Sequence, residues 1–298
     1  MWILARPLLS PSLALRWGRI PFMKTLIAVP AFNRLDRLRD TMSTVFELDG
    51  LTHADLVIFN DGSTDYSHSD LTQEFAPQAQ IVSSPTNSGR ADFAVHAIFN
   101  HFAQSDYQRL FLCDSDLIVS SSALTFVDAH FSQTEGILSL LNASAHPAYA
   151  STDATDMVVK HSIGFAGTVW SQEVVAEVLR HVPQSTCYDW DICTYMRGRR
   201  KIYCATKSQV QHFGTHGQNS TGSSFDFGEG FTPTGQAAIS RSLANLERLV
   251  FELKAQTQQH TAENTALRKR LRRTAKLQAL GLALGATAIT AVALWGTL

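Results

Sequence analysis

Two aspartates that follow an apolar run are the residues of this sequence best suited to chemistry. Leu110, Phe111 and Leu112 form a short run typical of a buried strand, and Asp114 and Asp116 follow it two residues apart. Two carboxylates beside a buried strand are costly unless a cation or hydrogen-bond donors compensate them. Aspartate oxygens are hard ligands that suit Mg²⁺ or Mn²⁺, and such an ion can also hold a diphosphate. The alternative interpretation is a solvated Asp-Ser-Asp turn that binds nothing.

The elements that must position these carboxylates form an alternation of strands and helices. Apolar runs predict strands at 25–30, 54–59 and 80–83, and the run at 110–112 is the fourth. Apolar residues at helical spacing fill the intervals between them. This alternation predicts an α/β fold with a mainly parallel, doubly wound sheet. Ligands of such sheets bind beyond the carboxyl ends of the strands, which is where the two aspartates fall.

The composition is that of a globular chain. Hydrophobic residues make up 45% of the 298 residues and the formal net charge is −1, which excludes a disordered chain or one that coats nucleic acid. The length allows one large domain or two small ones. The four cysteines lack C-x-x-C spacing, so we expect free thiols in a reducing compartment.

Polar motifs follow the predicted strands in succession. They read VPAFNR at 29–34, FNDGSTD at 59–65, NSGRADF at 87–93 and LCDSD at 112–116. This succession resembles the family-2 glycosyltransferases of GT-A fold, over roughly 23–224. The resemblance implies a Rossmann-like sheet flanked by helices, and an enzyme that uses a nucleotide-diphospho-sugar as donor.

The resemblance implies donor contacts for residues of the first three motifs and of a later strand. It places Asp61 on the nucleotide base and Arg90 near the phosphate or the base. The alternatives are an Asx-turn cap for Asp61 and a surface salt bridge for Arg90. Gly167, in an apolar strand predicted at 163–170, would let the backbone approach the donor sugar, or would serve only tight packing. The nucleoside would lie near Pro30, Phe32 and Asn33.

The resemblance also implies a metal, Mn²⁺ or Mg²⁺, at the fourth motif. Asp116 would ligate the ion, and Asp114 would hold the donor ribose or the ion. The segment VQHFG at 210–214 is similar to the family's final strand, whose histidine can complete the metal site. His212 is therefore the third candidate ligand. His216 is an alternative to it.

An acidic segment with two aromatic residues, CYDWD at 187–191, resembles the family's motif for the catalytic base at a helix start. A Tyr-Asp-Trp-Asp sequence replaces the commoner Glu-Asp pair, so Asp189 and Asp191 are both candidates, and alignment with the motif favours Asp189. Trp190 would supply an apolar wall that stacks on a sugar and raises the pKa of a neighbouring carboxylate. An acidic helix start favoured by the macrodipole is the alternative.

The sequence predicts five parts. No acidic residue occurs before Asp36, so the first part resembles a targeting segment, unless translation begins at Met23. The parts are an N-terminal extension (1–22), a GT-A domain (23–225), a linker or lid (226–242), a helical stalk with a basic cluster (243–276) and a transmembrane helix (277–298).

Heptad spacing predicts that the stalk forms a coiled coil. Leu246, Leu253, His260 and Leu267 recur every seven residues, as do Val250, Thr257, Asn264 and Leu271. The polar middle of this seam could set its register, and the pattern suggests a homo-oligomer. A single amphipathic stalk is the alternative.

The last part predicts membrane anchoring. Residues 277–298 contain no charged residue and would span roughly 33 Å as a helix at about 1.5 Å per residue, close to a hydrocarbon core of roughly 30 Å. A basic cluster at 268–276 precedes them, and such clusters tend to stay cytoplasmic. We therefore expect a membrane-anchored protein with a cytoplasmic catalytic domain. A buried or interfacial helix is the alternative.

The sequence as a whole favours a metal-dependent, inverting glycosyltransferase of the hexosyltransferase type. The acceptor would be a glycan, lipid or protein hydroxyl, and nucleic acid is not expected as a partner. A haloacid-dehalogenase-like phosphatase also uses Asp-x-Asp after an apolar strand, although usually on an early strand of the domain. The other alternative is an inactive scaffold that binds sugar nucleotides.

Overall fold

The computed structural model describes residues 23–152, 156–213 and 227–295, with side-chain surroundings as far as Lys276 and at Gln278. The predicted N-terminal extension (1–22) and the alternative ligand His216 lie outside these residues. The chain divides into two compact units, Met1–Arg241 and Ser242–Leu298.

Over its described residues, the first unit contains eleven strands and the start of the last of seven α-helices. The strands are β1 (Thr25–Ala31), β2 (Ala54–Asn60), β3 (Gln80–Ser83), β4 (Arg109–Leu112), β5 (Leu117–Val119), β6 (Ile137–Ser139), β7 (Ala148–Ser151), β8 (Met157–Lys160), β9 (Thr168–Ser171), β10 (Ile202–Ala205) and β11 (Val210–His212). The helices are α1 (Leu35–Val45), α2 (His68–Phe75), α3 (Ala91–Ala103), α4 (Ala123–His130), α5 (Gln172–His181), α6 (Tyr188–Met196) and α7 (Gln236–Trp295), with 3₁₀ turns at Leu51–His53 and Phe131–Gln133.

Nine of the strands form one mixed sheet in the order β3-β2-β1-β4-β9-β6-β10-β8-β7. The four strands predicted from the sequence are its parallel half, β3-β2-β1-β4. The other half is mixed, because β9 runs antiparallel to both β4 and β6. The prediction of an α/β fold is confirmed, and the sheet is parallel only where strands alternate with helices.

The sheet lies between two helical layers. Along β1, Ile27 and Val29 face a core shared with α1, α2 and α4, whereas Leu26 and Ala28 face a core shared with α3, α5 and α6. All four residues are fully buried, which explains the continuous apolar sequence of this central strand.

A separate two-stranded ribbon brings distant residues to the end of β4. In it β5 pairs with β11 antiparallel, and His212 lies opposite Leu117. The free edge of β5 is satisfied by two buried threonines of α1: the N–H groups of Leu117 and Val119 donate to the hydroxyls of Thr41 and Thr44, each at 3.1 Å. The ribbon therefore fixes His212 beside Asp116.

The segment predicted as a linker or lid lies along the first unit. Thr234 shares hydrogen bonds with Ser120, and the Ala237 N–H donates to Glu47 at 2.8 Å. Helix α7 begins at Gln236, several residues before the predicted start of the stalk. The remaining boundaries of the five-part division stay predictions.

The membrane prediction needs correction. Along the described part of the chain, none of the helices has both the length and the apolar composition that a membrane span requires. A membrane-spanning helix needs about 20 predominantly apolar residues. This finding overturns the expected transmembrane helix at 277–298 and the membrane-anchored location with a cytoplasmic catalytic domain. Residues 296–298 lie outside the described residues.

Candidate active site

A cavity of about 710 Å³ lies at the carboxyl ends of β1, β2 and β4. Its other walls come from the starts of α3 and α6 and from residues 163–166. Of the predicted site residues that the structure describes, only Asp191 and Gly167 do not line it. The lining includes Pro30, Phe32, Asn33, Asp61, Arg90, Asp114, Asp116, Asp189 and His212.

Asp61 ties together two loops of the cavity. Its carboxylate accepts hydrogen bonds from the Ser88 N–H (3.0 Å), the Ser88 hydroxyl (2.6 Å) and the Asn87 amide (2.9 Å). The loops approach so closely that a Cβ on Gly62, whose φ is +65°, would lie 2.3 Å from the backbone of Thr86 and Asn87. Asp61 thus joins two loops, which differs from the alternative of an Asx-turn cap, and its predicted contact with the nucleotide base stays a prediction.

Arg34 is a cavity residue that the sequence analysis missed. Asn33 and Arg34 both adopt the left-handed conformation, with φ of +52° and +55°, which is uncommon outside glycine and tends to occur at functional sites. The Asn33 side chain holds this turn by accepting from the Thr64 N–H at 2.8 Å. The turn brings Arg34 Nη1 to 3.4 Å from Asp116 Oδ2.

The two aspartates of the fourth motif have different ionisation behaviour. Burial opposes ionisation of Asp116, but the hydrogen bonds and charges of His212 and Arg34 outweigh it, so the pKa of Asp116 lies below its usual value. Burial raises the pKa of Asp114 to about 7, and the negative charge of Asp116 adds to this effect. A buried carboxyl pair of this kind holds one negative charge more readily than two.

The predicted metal ligands offer a partial site. His212 Nε2 lies 3.1 Å from Asp116 Oδ1, and Asp114 is near enough to be influenced by both charges. Within the described ranges, no group of three or more His, Cys, Asp or Glu residues is arranged to hold a metal ion. A carboxylate and an imidazole still fit an ion that takes its other ligands from a diphosphate, as Mg²⁺ commonly does.

The start of α6 separates the two candidate bases. Asp189 lines the cavity, and its carboxylate accepts from the Trp190 N–H at 2.8 Å. Burial raises the pKa of Asp189, and the charge of nearby Asp92 contributes. Asp191 is exposed and accepts from the Ser185 hydroxyl at 2.5 Å, outside the cavity lining. Geometry therefore leaves Asp189 as the carboxylate that faces the cavity.

Comparison with known proteins finds a family match for part of the chain. Residues 26–138 match the sequence profile described as Glycosyl transferase family 2. We refer to residues 26–138 as the family-2 segment. The matched segment contains the first four motifs, whereas Asp189 and His212 lie beyond it. A comparison with curated protein sequences finds no match.

Solved glycosyltransferase structures resemble the chain over part of its length. TarS 1–349 from S. aureus aligns with a TM-score of 0.48 and 12% identity, covering 63% of this chain and 60% of that chain. The same protein in complex with UDP-GlcNAc gives 0.46 and 13%, with coverages of 63% and 58%. The mannosyltransferase PcManGT from Pyrobaculum calidifontis, in complex with GDP-Man and Mn²⁺, gives 0.47 and 17%, with coverages of 61% and 55%. The chain thus spans about 60% of the length of TarS 1–349.

The part of the cavity beyond the family-2 segment carries an exposed aromatic wall. The Trp190 side chain is 53% exposed, and its ring lies 5.7 Å from that of His146, which is held through Nδ1 by the Ser162 hydroxyl at 2.9 Å. Both rings line the cavity next to Asp189. An exposed indole beside a carboxylate is a surface on which a sugar ring can stack.

Two predicted residues have packing or bridging roles. Gly167 has φ of +66° and a Cβ there would lie 2.6 Å from Val210 Cγ2, so tight packing requires glycine. Gly164 lines the cavity in its place. Arg90 donates to the Thr186 carbonyl at 3.1 Å and lies 3.5 Å from Asp92, which joins the start of α3 to the loop before α6.

Proposed function

We propose that this chain transfers a sugar from a nucleotide-diphospho-sugar to an acceptor hydroxyl, with inversion at the anomeric carbon. The observation that carries the proposal is that one cavity holds both the acidic pair Asp114 and Asp116 and a separate carboxylate, Asp189, at the start of α6. The two sites are close, because the charge of Asp189 contributes to raising the pKa of Asp114. Donor activation and acceptor deprotonation can therefore take place in the same space.

The donor would occupy the side formed by the family-2 segment. The nucleoside would lie against Pro30, Phe32 and Asn33, and Asp61 would contact the base with the lone pairs that its loop hydrogen bonds leave. Arg34 and Arg90 face the cavity with cationic groups suited to phosphate oxygens. Asp114, whose raised pKa favours a protonated carboxyl near neutral pH, would donate to or accept from the ribose hydroxyls.

Asp116 and His212 would hold a divalent cation, Mn²⁺ or Mg²⁺, together with the donor diphosphate. When bound, the ion would stabilise the negative charge on the departing nucleotide. The chain's own contribution would be the ionised Asp116, kept charged by His212 and Arg34 despite its burial. Asp114 would stay beside this pair as a hydrogen-bonding group.

The acceptor would enter from the side of α6. Asp189 would remove the proton of the acceptor hydroxyl as that oxygen attacks, and a base opposite the leaving group gives inversion. Burial raises the pKa of Asp189, which makes its carboxylate a stronger base than an exposed aspartate. Trp190 would stack on the acceptor, which favours a sugar ring there. We propose that the transfer is of the hexosyltransferase type, and the resemblance to the family supports this.

The phosphatase alternative is less consistent with the site. Its mechanism requires the first aspartate of the motif as an ionised nucleophile, and burial raises the pKa of Asp114 to about 7. Three parallel strands also precede the motif along the chain. The family-2 match over 26–138 favours sugar transfer.

The test is a panel of nucleotide-sugars with Mn²⁺ or Mg²⁺, assayed for thermal stabilisation, nucleotide release and glycosylated product. A ligand that binds only the folded protein raises its unfolding midpoint. We expect stabilisation by one donor class, and product of inverted anomeric configuration by NMR. Stabilisation without transfer to any acceptor would indicate the inactive scaffold, and phosphate release from simple phosphomonoesters would indicate a phosphatase.

A further inference from the structure

Helix α7 presents two blocks of apolar residues to solvent along one heptad seam within the second unit. From Ser242 on, the exposed large apolar side chains of the described residues lie three, four and three residues apart in the first block (243–253) and four apart in the second (267 and 271), and only Phe251 lies off the seam. An interval pattern of this kind marks one side of a helix that pairs with another helix. The seam residues, each 54% to 64% exposed, are Leu243, Leu246, Val250, Leu253, Leu267 and Leu271.

The heptad spacing of the seam continues through three polar residues that lie between the two apolar blocks. Thr257, His260 and Asn264 occupy the same positions between the two apolar blocks, and all three are exposed. In the heptad frame that places Leu243 at position a, Asn264 is also at a. A single asparagine at this position specifies register and favours two strands, at some cost in stability. These three polar residues therefore fit a partner helix that carries the same residues in the same register.

The flanking charges favour the same arrangement. In this frame Glu263 is at position g and Arg268 is at position e of the next heptad, which face each other between two parallel helices in register. Glu263 accepts from the Gln259 amide at 2.9 Å and lies 3.6 Å from His260 Nδ1, so its carboxylate lies near the seam. A second copy of α7 would bring its Arg268 to this carboxylate.

The antiparallel arrangement fits the sequence less well. An antiparallel pair that kept the leucines of the two blocks together would place Asn264 against Leu253. A buried amide opposite an aliphatic side chain has no hydrogen-bond partner, which costs stability. In the parallel pair Asn264 meets Asn264 of the other copy, and the two amides can bond to each other.

We propose that α7 pairs with α7 of a second copy of this chain, as a parallel, in-register, two-stranded coiled coil over 243–271. In the first block Val250 at a, with leucine at both d positions, agrees with two strands, and Leu243 is the other a residue. The heptad spacing runs over four heptads, with apolar residues at both ends and polar residues in the middle. The paired helices would make the enzyme a homodimer whose interface is separate from the cavity residues.

The oligomeric state tests the seam. Sedimentation equilibrium of the full chain at micromolar concentration should give twice the mass of one chain. The variant with Leu246→Asp and Leu253→Asp should give the mass of one chain, whereas the matched variant with Ala255→Asp and Ala262→Asp, outside the seam, should stay at twice that mass. Circular dichroism and thermal midpoints check that the first unit stays folded. The proposal is overturned if the parent protein has the mass of one chain, or of three or four chains. A one-chain protein overturns it whether or not that protein binds lipid vesicles.

Cross-linking tests the orientation. With Leu253→Cys in a Cys187→Ser background, which removes the exposed native thiol, oxidation should link most chains to a second chain. Linking only when Leu253→Cys and Asn264→Cys proteins are mixed would overturn the parallel register.

Charge reversal tests the proposed pairing of Glu263 with Arg268. Glu263→Arg should raise the dimer dissociation constant about tenfold or more, and the double variant Glu263→Arg with Arg268→Glu should restore it. Failure of the double variant to restore dimerisation would contradict the proposed pairing.

Discussion

Both oxygens of the Asp116 carboxylate are approached by nitrogen atoms of basic side chains: Nη1 of Arg34 lies 3.4 Å from Oδ2, and Nε2 of His212 lies 3.1 Å from Oδ1. Arg34 comes from the turn after β1 and His212 from β11, so one carboxylate joins the first and last strands of the sequence. The arrangement keeps Asp116 ionised although it is only 8% exposed. In the proposed function, a divalent cation that binds with the donor diphosphate would therefore meet a carboxylate that is already ionised.

Arg34 is predicted to bind the donor. Replacing Arg34 with Gln removes a cation that faces the cavity, and we expect the dissociation constant for the donor to rise about tenfold, the effect of roughly 1.4 kcal/mol. The measurement is donor titration by calorimetry. Arg39→Gln is the matched control, because Arg39 lies in the helix that directly follows Arg34 but pairs with Glu74 away from the cavity. Equal donor affinity in Arg34→Gln and the parent would remove Arg34 from the donor site.

Asp116 and His212 are predicted to differ in their effect on metal dependence. Asp116→Ala removes a charged oxygen ligand, so donor binding that depends on Mn²⁺ or Mg²⁺ should be abolished. His212→Ala leaves the carboxylate in place and should weaken this dependence more mildly. Donor binding would be measured across a series of metal concentrations and after chelation. Full activity of Asp116→Ala in a chelator-treated sample would contradict the metal site.

The pH dependence of the transfer rate should reflect the raised pKa of Asp189. Asp189 must be ionised to accept a proton, and burial raises its pKa, so activity should fall as the pH drops through this raised value. The acidic limb of kcat/KM should therefore lie above the value of about 3.9 for an ordinary aspartate. Donor concentration and folded fraction are held constant across the series. An enzyme that stays folded and fully active down to pH 4 would show that Asp189 is not the base.

Gly62 is predicted to be essential for the fold of the donor side. A Cβ on Gly62 would lie 2.3 Å from backbone atoms of Thr86 and Asn87, in the neighbouring loop. The φ of Gly62, +65°, also disfavours any side chain. Gly62→Ala should lower the free energy of unfolding by about 1–3 kcal/mol. Gly164→Ala is the control, because a Cβ there meets nothing within 4 Å. Urea unfolding of both variants provides the comparison, and equal stability would show that the loops can separate at no cost.

Local sequence patterns predicted the parallel half of the sheet closely. The strands predicted at 25–30, 54–59 and 80–83 correspond to Thr25–Ala31, Ala54–Asn60 and Gln80–Ser83. β1 and the middle of β2 are buried on both faces, and β3 is a short, partly buried edge strand. Polar loops bound all three strands, so their apolar runs stand out in the sequence. Polar residues at the ends of such strands converge, which is why the motifs predicted a shared cavity.

Features that depend on distant pairing could not be predicted in this way. The approach of Arg34 to Asp116 requires two consecutive non-glycine residues in the left-handed conformation, for which the sequence gives no specific signal. Asp92 and His146 were missed because each is an ordinary polar residue until α3 and α6 enclose the cavity. Gly167 was assigned to the donor, but its neighbour Val210 belongs to a strand more than forty residues away in sequence.

The central claim is that Asp189 is the base for transfer, and the most direct measurement compares Asp189→Asn with Asp191→Asn. Each substitution keeps the side-chain shape and removes the basic oxygen. At matched folded fraction, Asp189→Asn should keep its donor affinity while the transfer rate falls by about 10²-fold or more, the usual scale for a general base. Asp191→Asn should lose far less, because its carboxylate is exposed and bonded to Ser185. A near-normal transfer rate in Asp189→Asn, whatever the rate of Asp191→Asn, would contradict this account.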